Sequence, residues 1–223
     1  GYREGDKGID IPPESDDVPS EEWRIIRTEQ LGDGLVGVYP SGIRVPLAPF
    51  MGVMAVAPTP VLGQPGVDVE GVQSSGPPGA FGGNLDVKHL TSGSRLFLPV
   101  FHSGAQFYVG DPHGAQGDGE VSGLAIEQSM VGVFRLMLHK NMRIKGPMAE
   151  TGTHHLVMGI DVDLNRALRK TTENVVDFLV DRHDIRPSEA FSIASVAVDF
   201  TISEAVDGTQ VVTAFVPKSI FPR

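Results

Sequence analysis

Eleven consecutive residues, Gly110–Asp111–Pro112–His113–Gly114–Ala115–Gln116–Gly117–Asp118–Gly119–Glu120, carry three carboxylates, one imidazole and four glycines. Glycine reaches backbone conformations closed to other residues and lets a chain approach a ligand closely. A loop of this composition can therefore turn several side chains onto one point. Asp111 and His113 stand two apart, which on an extended strand end places both on one face. Oxygen plus imidazole is the donor set of a divalent cation: zinc favours His with carboxylate, calcium favours oxygens alone. The same residues also suit a Gly/Asp turn whose Asp side chains cap their own backbone, with His113 a solvated loop residue. Composition alone leaves both readings open.

The rest of the chain narrows the chemistry. With 223 residues it is long enough for one large domain or two modest ones. Eighteen Lys and Arg against 28 Asp and Glu give a net charge of −10, which repels phosphate backbones and anionic membrane surfaces. Nucleic acid is not an expected partner. There is no cysteine, so disulfides, thiolate metal sites and a Cys nucleophile are excluded within this sequence. No apolar run approaches the roughly 20 residues that cross a bilayer, and no signal sequence opens the chain. The expectation is no membrane and a cytoplasmic protein.

Positioning elements follow from pattern. Residues 1–22 are polar, acidic and Pro-bearing and read as an arm. A β-rich domain over residues 23–160 is expected to bear the loop, with an α+β subdomain over 161–223 packed on it. Short β-favouring runs at Trp23–Arg27, Gly34–Tyr39, Ile43–Val45 and Val53–Val56 alternate with turn residues, and Arg24–Arg27 can pair with Gly34–Tyr39. Residues 57–83 are dense in Pro and Gly and form a long loop. Strands are expected again at Ser94–Phe101, Gln106–Val109, Glu120–Glu127 and Gly132–Leu138. Then the period changes: Leu164, Leu168, Val175, Phe178 and Leu179 recur at helical spacing, predicting a helix over Asp163–Arg182. Pro187 fits the first turn of a second helix to about Val196. Val198–Ser203 and Gln210–Val216 flank Asp207–Gly208, a hairpin signal. The fold class is α+β, mainly antiparallel β of a sandwich or barrel-like kind with a late helical pair.

Several segments together resemble the acetamidase/formamidase family. They are Gly82–Gly83–Asn84–Leu85–Asp86, Leu96–Phe97–Leu98–Pro99–Val100, Gly110–Glu120 and Ala125–Ile126–Glu127, in that order and spacing, with Pro49–Met54 and the 163–198 helical region in addition. The resemblance implies hydrolysis of small carboxamides to a carboxylate and ammonia by soluble, homo-oligomeric, β-rich enzymes. It picks out Asn84, Asp86, Asp111, His113, Gln116, Asp118 and Glu120 by position. Where several relatives have Cys, this sequence has Ser122, which is far less nucleophilic and has no neighbouring His base. Activated water is therefore the expected nucleophile. The family's N-terminal region, with a His-containing segment and a Gly-rich turn entering a strand, has no counterpart in this sequence. A smaller N-terminal chain from the same precursor is expected to complete the fold, and relatives that open bicyclic γ-lactams in nicked form make a lactam-active member the matching expectation.

The expected mechanism places a divalent ion, zinc in first place and calcium in second, on Asp111 and His113, with Asp86 a further ligand. The ion activates water for attack on the amide carbonyl. Glu120 takes the proton and passes it to the leaving nitrogen, Asn84 or loop N–H groups hold the oxyanion, and Asp118 and Gln116 support the site. One rival is a metal-free amidase using a Glu/Asp pair. The other is a non-enzymatic β-rich binding protein with a Ca²⁺ site in the Asp/Gly loop. Elsewhere, His154–His155 would point to opposite faces of a strand and so not share one ion. The basic stretch Arg135–Lys145 reads as a strand pair or an oligomer contact. Asp161, Asp163, Asp181 and Asp184 fall where helix caps belong.

Overall fold

The computed structural model describes residues 25–222, so the arm expected over residues 1–22 lies outside the described residues. Arg27–Leu31 (β1) and Gly34–Val38 (β2) form an antiparallel hairpin closed by Gly32–Asp33, with Leu31 opposite Gly34. Gly32 has φ +59, the left-handed conformation such a two-residue turn needs. Pairing begins at Arg27, opposite Val38, and Trp23 and Arg24 of the expected run lie outside the described residues. Arg44–Pro46 (β3) adds a third strand to this small sheet.

Next in chain order come Phe50–Ala55 (β4), Gly82–Asn84 (β5), Arg95–Phe97 (β6), Tyr108–Ala115 (β7), Ile126–Glu127 (β8), Met148–Glu150 (β9) and His154–Asp161 (β10). Two helices, Leu164–His183 (α1) and Pro187–Ala197 (α2), precede the strands Asp199–Glu204 (β11) and Gln210–Pro217 (β12). A four-stranded sheet runs β5-β4-β7-β8 and a five-stranded one β11-β12-β10-β9-β6, and every named pairing is antiparallel. The α+β class with antiparallel strands and a late helical pair is thus the observed one.

Residue alternation explains the layers. On β10, Leu156 and Met158 join Met51 and Met54 of β4 and Val211 of β12 in one core between the two larger sheets. Val157 points the other way, into a second core with Val175, Leu179, Ala190 and Ala194 of the helices. The five-stranded sheet is therefore buried on both faces. Asp163 caps α1 through its carboxylate, which accepts from the Arg166 N–H at 2.8 Å, and Asp184 closes the helix in the left-handed conformation. Pro187 occupies the start of α2.

Three expectations are corrected. The Gly110–Glu120 segment is not a free loop: its first half extends β7, paired to β4 with Phe50 opposite His113. Of Glu120–Glu127 only Ile126–Glu127 is strand, because Glu120 takes φ +44 and the Gly123 N–H turns back to its carbonyl at 2.7 Å. Gly132–Leu138 makes no strand pairing among the described residues, and Val133, Leu136 and Leu138 are exposed there. No helix among the described residues is long and apolar enough to cross a membrane.

Candidate active site

His113 sits at the middle of the four-stranded sheet, between Phe50 on β4 and Glu127 on β8. The Phe50 ring meets it edge-on at 5.2 Å, and the imidazole is buried. Asp111, two residues earlier on the same strand, brings Oδ2 to 3.1 Å from His113 Nε2. Glu127 Oε2 lies 3.5 Å from the same nitrogen and Asp86 Oδ1 3.7 Å from Nδ1. The expected pairing of Asp111 with His113 on one face is what the strand produces.

Three acidic residues here have left-handed backbones: Asp86 at φ +46, Asp111 at +52 and Glu120 at +44. Such geometry costs about 1–3 kcal/mol per residue and persists where the surroundings over-determine it. Gly52 of β4 stands opposite this cluster, and a Cβ there would run into the carboxylates of Asp86 and Asp111. The glycine leaves the room they occupy. The Leu85 and Asp86 N–H groups both reach back to the Gly52 carbonyl, at 3.1 and 3.3 Å, tying the bend after β5 to β4.

Gln116 supplies an orientation that can be reasoned from donor chemistry. Its Nε2 donates to the Asp86 carbonyl at 2.8 Å, and a carbonyl only accepts. The amide oxygen therefore faces His113 Nδ1, also at 2.8 Å, so Nδ1 carries the proton. Nε2 is left to face Asp111 and Glu127. Burial alone would lower the His113 pKa, but the Asp111 hydrogen bond and charge, joined by Glu127 and Gln116, hold it up at about 9.

A second group lies beside this one. Asp207, read as half of a hairpin turn, follows β11, and its carboxylate accepts from Asn84 Nδ2 at 2.7 Å. Ligand atoms of Asp86, Glu120 and Asp207 fall within 4.8 Å of one another, as do those of Asp86, Asp111 and His113, and of His113, Glu120 and Glu127. Burial, then the Glu120 and Asp207 charges, push Asp86 up to about 11. Glu120 is raised to about 7 by burial, opposed by His113 and assisted by Asp207. Among the described residues no N–H or hydroxyl donates to either carboxylate oxygen of Asp86, which is only 1% exposed and faces the carboxyl groups of Asp207 and Glu120. A buried carboxylate without donors requires a proton or a cation.

The structure brings Asn84, Asp86, Asp111, His113, Gln116 and Glu120 together. Asp118 stands apart from the carboxylate cluster and pairs with Lys88 Nζ at 2.6 Å. Glu204 and Asp207 are participants that sequence reading missed. Glu204 is fully buried, raised to about 8 chiefly by burial, and its Oε1 accepts from the N–H groups of Val206 and Asp207. Parallel bridging of Gly119 to Glu204 docks the end of the Gly-rich segment on β11. Only the Asp–Gly turn signal marked this region, and it carries no hint of a partner 123 residues away in sequence.

Next to Gln116 opens a cavity of about 830 Å³. His154 lines it from β10, packing against Phe215, while His155 faces the opposite side and packs against Phe178 of α1. The two histidines thus serve different faces of the sheet.

The family model described as "Acetamidase/Formamidase family" matches residues 65–223. A formamidase from Methylophilus methylotrophus is 32% identical over 169 residues, covering 65% of this chain and 41% of that protein. An acetamidase from Mycolicibacterium smegmatis is 54% identical over 46 residues, 21% of this chain and 11% of that protein. Among solved structures, an acetamidase from Bacillus halodurans superposes with a TM-score of 0.68 at 28% identity, covering 87% of this chain and 62% of the other. A predicted acetamidase/formamidase from Thermoanaerobacter tengcongensis gives 0.71 at 24%, with 85% and 60% covered. The chain thus spans about two fifths of the formamidase and three fifths of the solved relatives.

Proposed function

The chain belongs to the acetamidase/formamidase family, and we propose that it carries most of the active site of an amidohydrolase that cleaves the C–N bond of small carboxamides or of a γ-lactam. The observation that carries this reading is the Asp86 carboxylate, buried and, among the described residues, without an N–H or hydroxyl donor, in the company of Asp111, His113, Glu120 and Asp207. This donor set fits a divalent cation. Asp86, Asp111 and His113 would hold it, zinc suiting the mixed imidazole and carboxylate donors. When bound, such an ion supplies positive charge that acidifies water and polarises a carbonyl.

The chain's own residues do the remaining work. Glu120, raised to about 7, divides between its acid and base forms near neutrality, which lets it take a proton from water and return it to the leaving nitrogen. Burial first, then the negative charges of Asp207 and Asp111, keep that proton affinity high. Gln116 holds the His113 ring so that Nε2 faces the cluster. Asn84 donates to Asp207 and so fixes that carboxylate beside the cluster, its own Oδ1 being buried without a partner among the described residues. Asp118, held by Lys88, acts from further out by fixing the chain between Gln116 and Glu120.

A second reading has one observation in its favour: Asp86, Glu120 and Asp207 form an all-oxygen group, which suits Ca²⁺ in a binding protein without catalysis. Ammonia release from formamide, acetamide, propionamide and a bicyclic γ-lactam, measured with elemental analysis before and after chelation, decides between them. The amidohydrolase reading expects turnover that tracks zinc content. Stabilisation by Ca²⁺ with no ammonia from any of the four would favour the second reading. A smaller N-terminal polypeptide completing the enzyme, and homo-oligomerisation, belong to the same proposal. Intact-mass and native mass measurements on purified material test both.

A further inference from the structure

We infer that the cavity beside Gln116 binds a small organic carboxylate, its charged end held by Lys88, His89 and His154. None of the residues of the buried carboxylate cluster lines this cavity, so the binding is separate from amide cleavage. The chain has 28 Asp and Glu against 18 Lys and Arg and 7 His, yet among the described residues no acid lines this recess of about 830 Å³. Its ionisable side chains are Lys88, His89, His154 and the phenol of Tyr39, and the hydroxyls of Thr91 and Thr153 stand on the same wall. An acidic molecule that keeps acids out of one of its cavities leaves there a place of positive potential.

Separate parts of the chain bring these groups together. Lys88 and His89 follow the bend after β5, and His154 opens β10. Phe215 of β12 positions both imidazoles, meeting His89 edge-on at 4.7 Å and His154 at 6.0 Å. An ammonium has three N–H groups, and Lys88 gives one to Asp118 at 2.6 Å. On His154, Nδ1 is engaged by the Thr153 hydroxyl at 2.9 Å, which leaves Nε2 for a ligand. Burial lowers the His89 pKa, Asp118 raises it, and Lys88 and His154 lower it again, so the three cation-forming groups are near enough to repel one another. An anion shared by them relieves that repulsion, whereas a cation adds to it. Carboxylate fits better than phosphate: among the described residues neither an arginine nor a helix residue lines the cavity, and so it offers neither a guanidinium fork nor a helix N-terminus. Val45, Leu124 and Ile126 give apolar wall for a short hydrocarbon body.

Calorimetric titration of the full chain with hexanoate tests this, with 1-hexanol as the neutral control and inorganic phosphate as the rival anion. Saturable one-to-one binding of hexanoate is expected, roughly tenfold or more tighter than that of either control. Lys88→Gln and His154→Gln, on separate elements, are each expected to weaken it about tenfold or more by removing one donor to the charged end. Val45→Trp, which fills the cavity from β3 and leaves every cation in place, is expected to weaken it by at least as much. Unchanged melting shows that a variant is folded, and if one of the two polar variants is not, the other decides. Hexanoate binding that survives Val45→Trp lies elsewhere and overturns the inference, as does binding that a folded Lys88→Gln or His154→Gln leaves intact. Hexanol bound as tightly as hexanoate overturns the role of charge, and phosphate bound more tightly overturns the assignment to carboxylates. Absence of saturable hexanoate binding overturns the site outright, whatever the outcome for amide turnover.

Discussion

Glu120 is a buried carboxylate pulled in two directions: burial and Asp207 favour its proton, while His113 favours its charge. Its side chain was expected to act as base, and its position within ligand distance of His113 and Asp86 is compatible with that role. Glu120→Gln keeps the shape and removes the titration, so turnover is expected to fall about 10²–10⁴-fold with the melting temperature little changed, as steady-state kinetics on the folded variant would show. Gln116→Leu is expected to cost 10–100-fold in zinc affinity as well as activity, because the His113 ring loses the partner that fixes its tautomer. Competition with a chromophoric chelator measures the affinity without any turnover. Residues such as Asp111, His113 and Gln116 were legible because they share one short segment. Asp207 was not, since its partner Asn84 comes from a strand more than a hundred residues earlier.

At the scale of elements, the five-stranded sheet is the platform, and α1 is pressed on it with no room to spare at Gly159. A Cβ there would strike the Thr171 backbone and hydroxyl and the Ala167 carbonyl. Thr171 also links the two layers, donating to Ala167 and lying 3.0 Å from the Val212 carbonyl. Gly159→Ala is therefore expected to destabilise by about 1–3 kcal/mol, read from the urea midpoint. His155 on the same strand is packed on Phe178, and burial, then the charges of Arg182 and Lys218, lower its pKa to about 4. A group lowered on folding is neutral in the fold, and protonating it favours the unfolded chain. Its stability contribution is present above pH 6.5 and is lost as pH falls towards 4. The stability difference between wild type and His155→Gln should accordingly drop across that window, followed by thermal melts at half-unit steps. Helix spans, the Asp163 cap and Pro187 were readable from local rules. The strands around Glu120–Leu138 were not, because a β-favouring run becomes strand only where a neighbour accepts its hydrogen bonds.

Across the whole molecule, negative charge is concentrated where a cation would offset it. Asp86 stays protonated up to about 11 and His113 up to about 9, so a divalent ion held by both must displace protons. Its affinity is expected to rise with pH through the neutral range, with protons released on binding. Titration calorimetry in two buffers of different ionisation enthalpy gives the proton count. Removing the ion with chelator is expected to abolish amide turnover and lower the melting temperature, and adding zinc back to restore both.

The sequence by itself determined the residue types available for chemistry, the antiparallel β character with two late helices, the lack of any thiol within these 223 residues and the resemblance that pointed to a family. Those are properties of composition, period and short-range spacing, which survive in one dimension. Only the tertiary structure decided that Gly110–Ala115 is strand, that Asp118 turns to Lys88, and that Asp207 crosses from the C-terminal hairpin to the buried carboxylates. The physical reason is that pKa and ligand geometry depend on distance and burial, and the groups that set them here are brought together by sheet pairing between strands far apart in the chain.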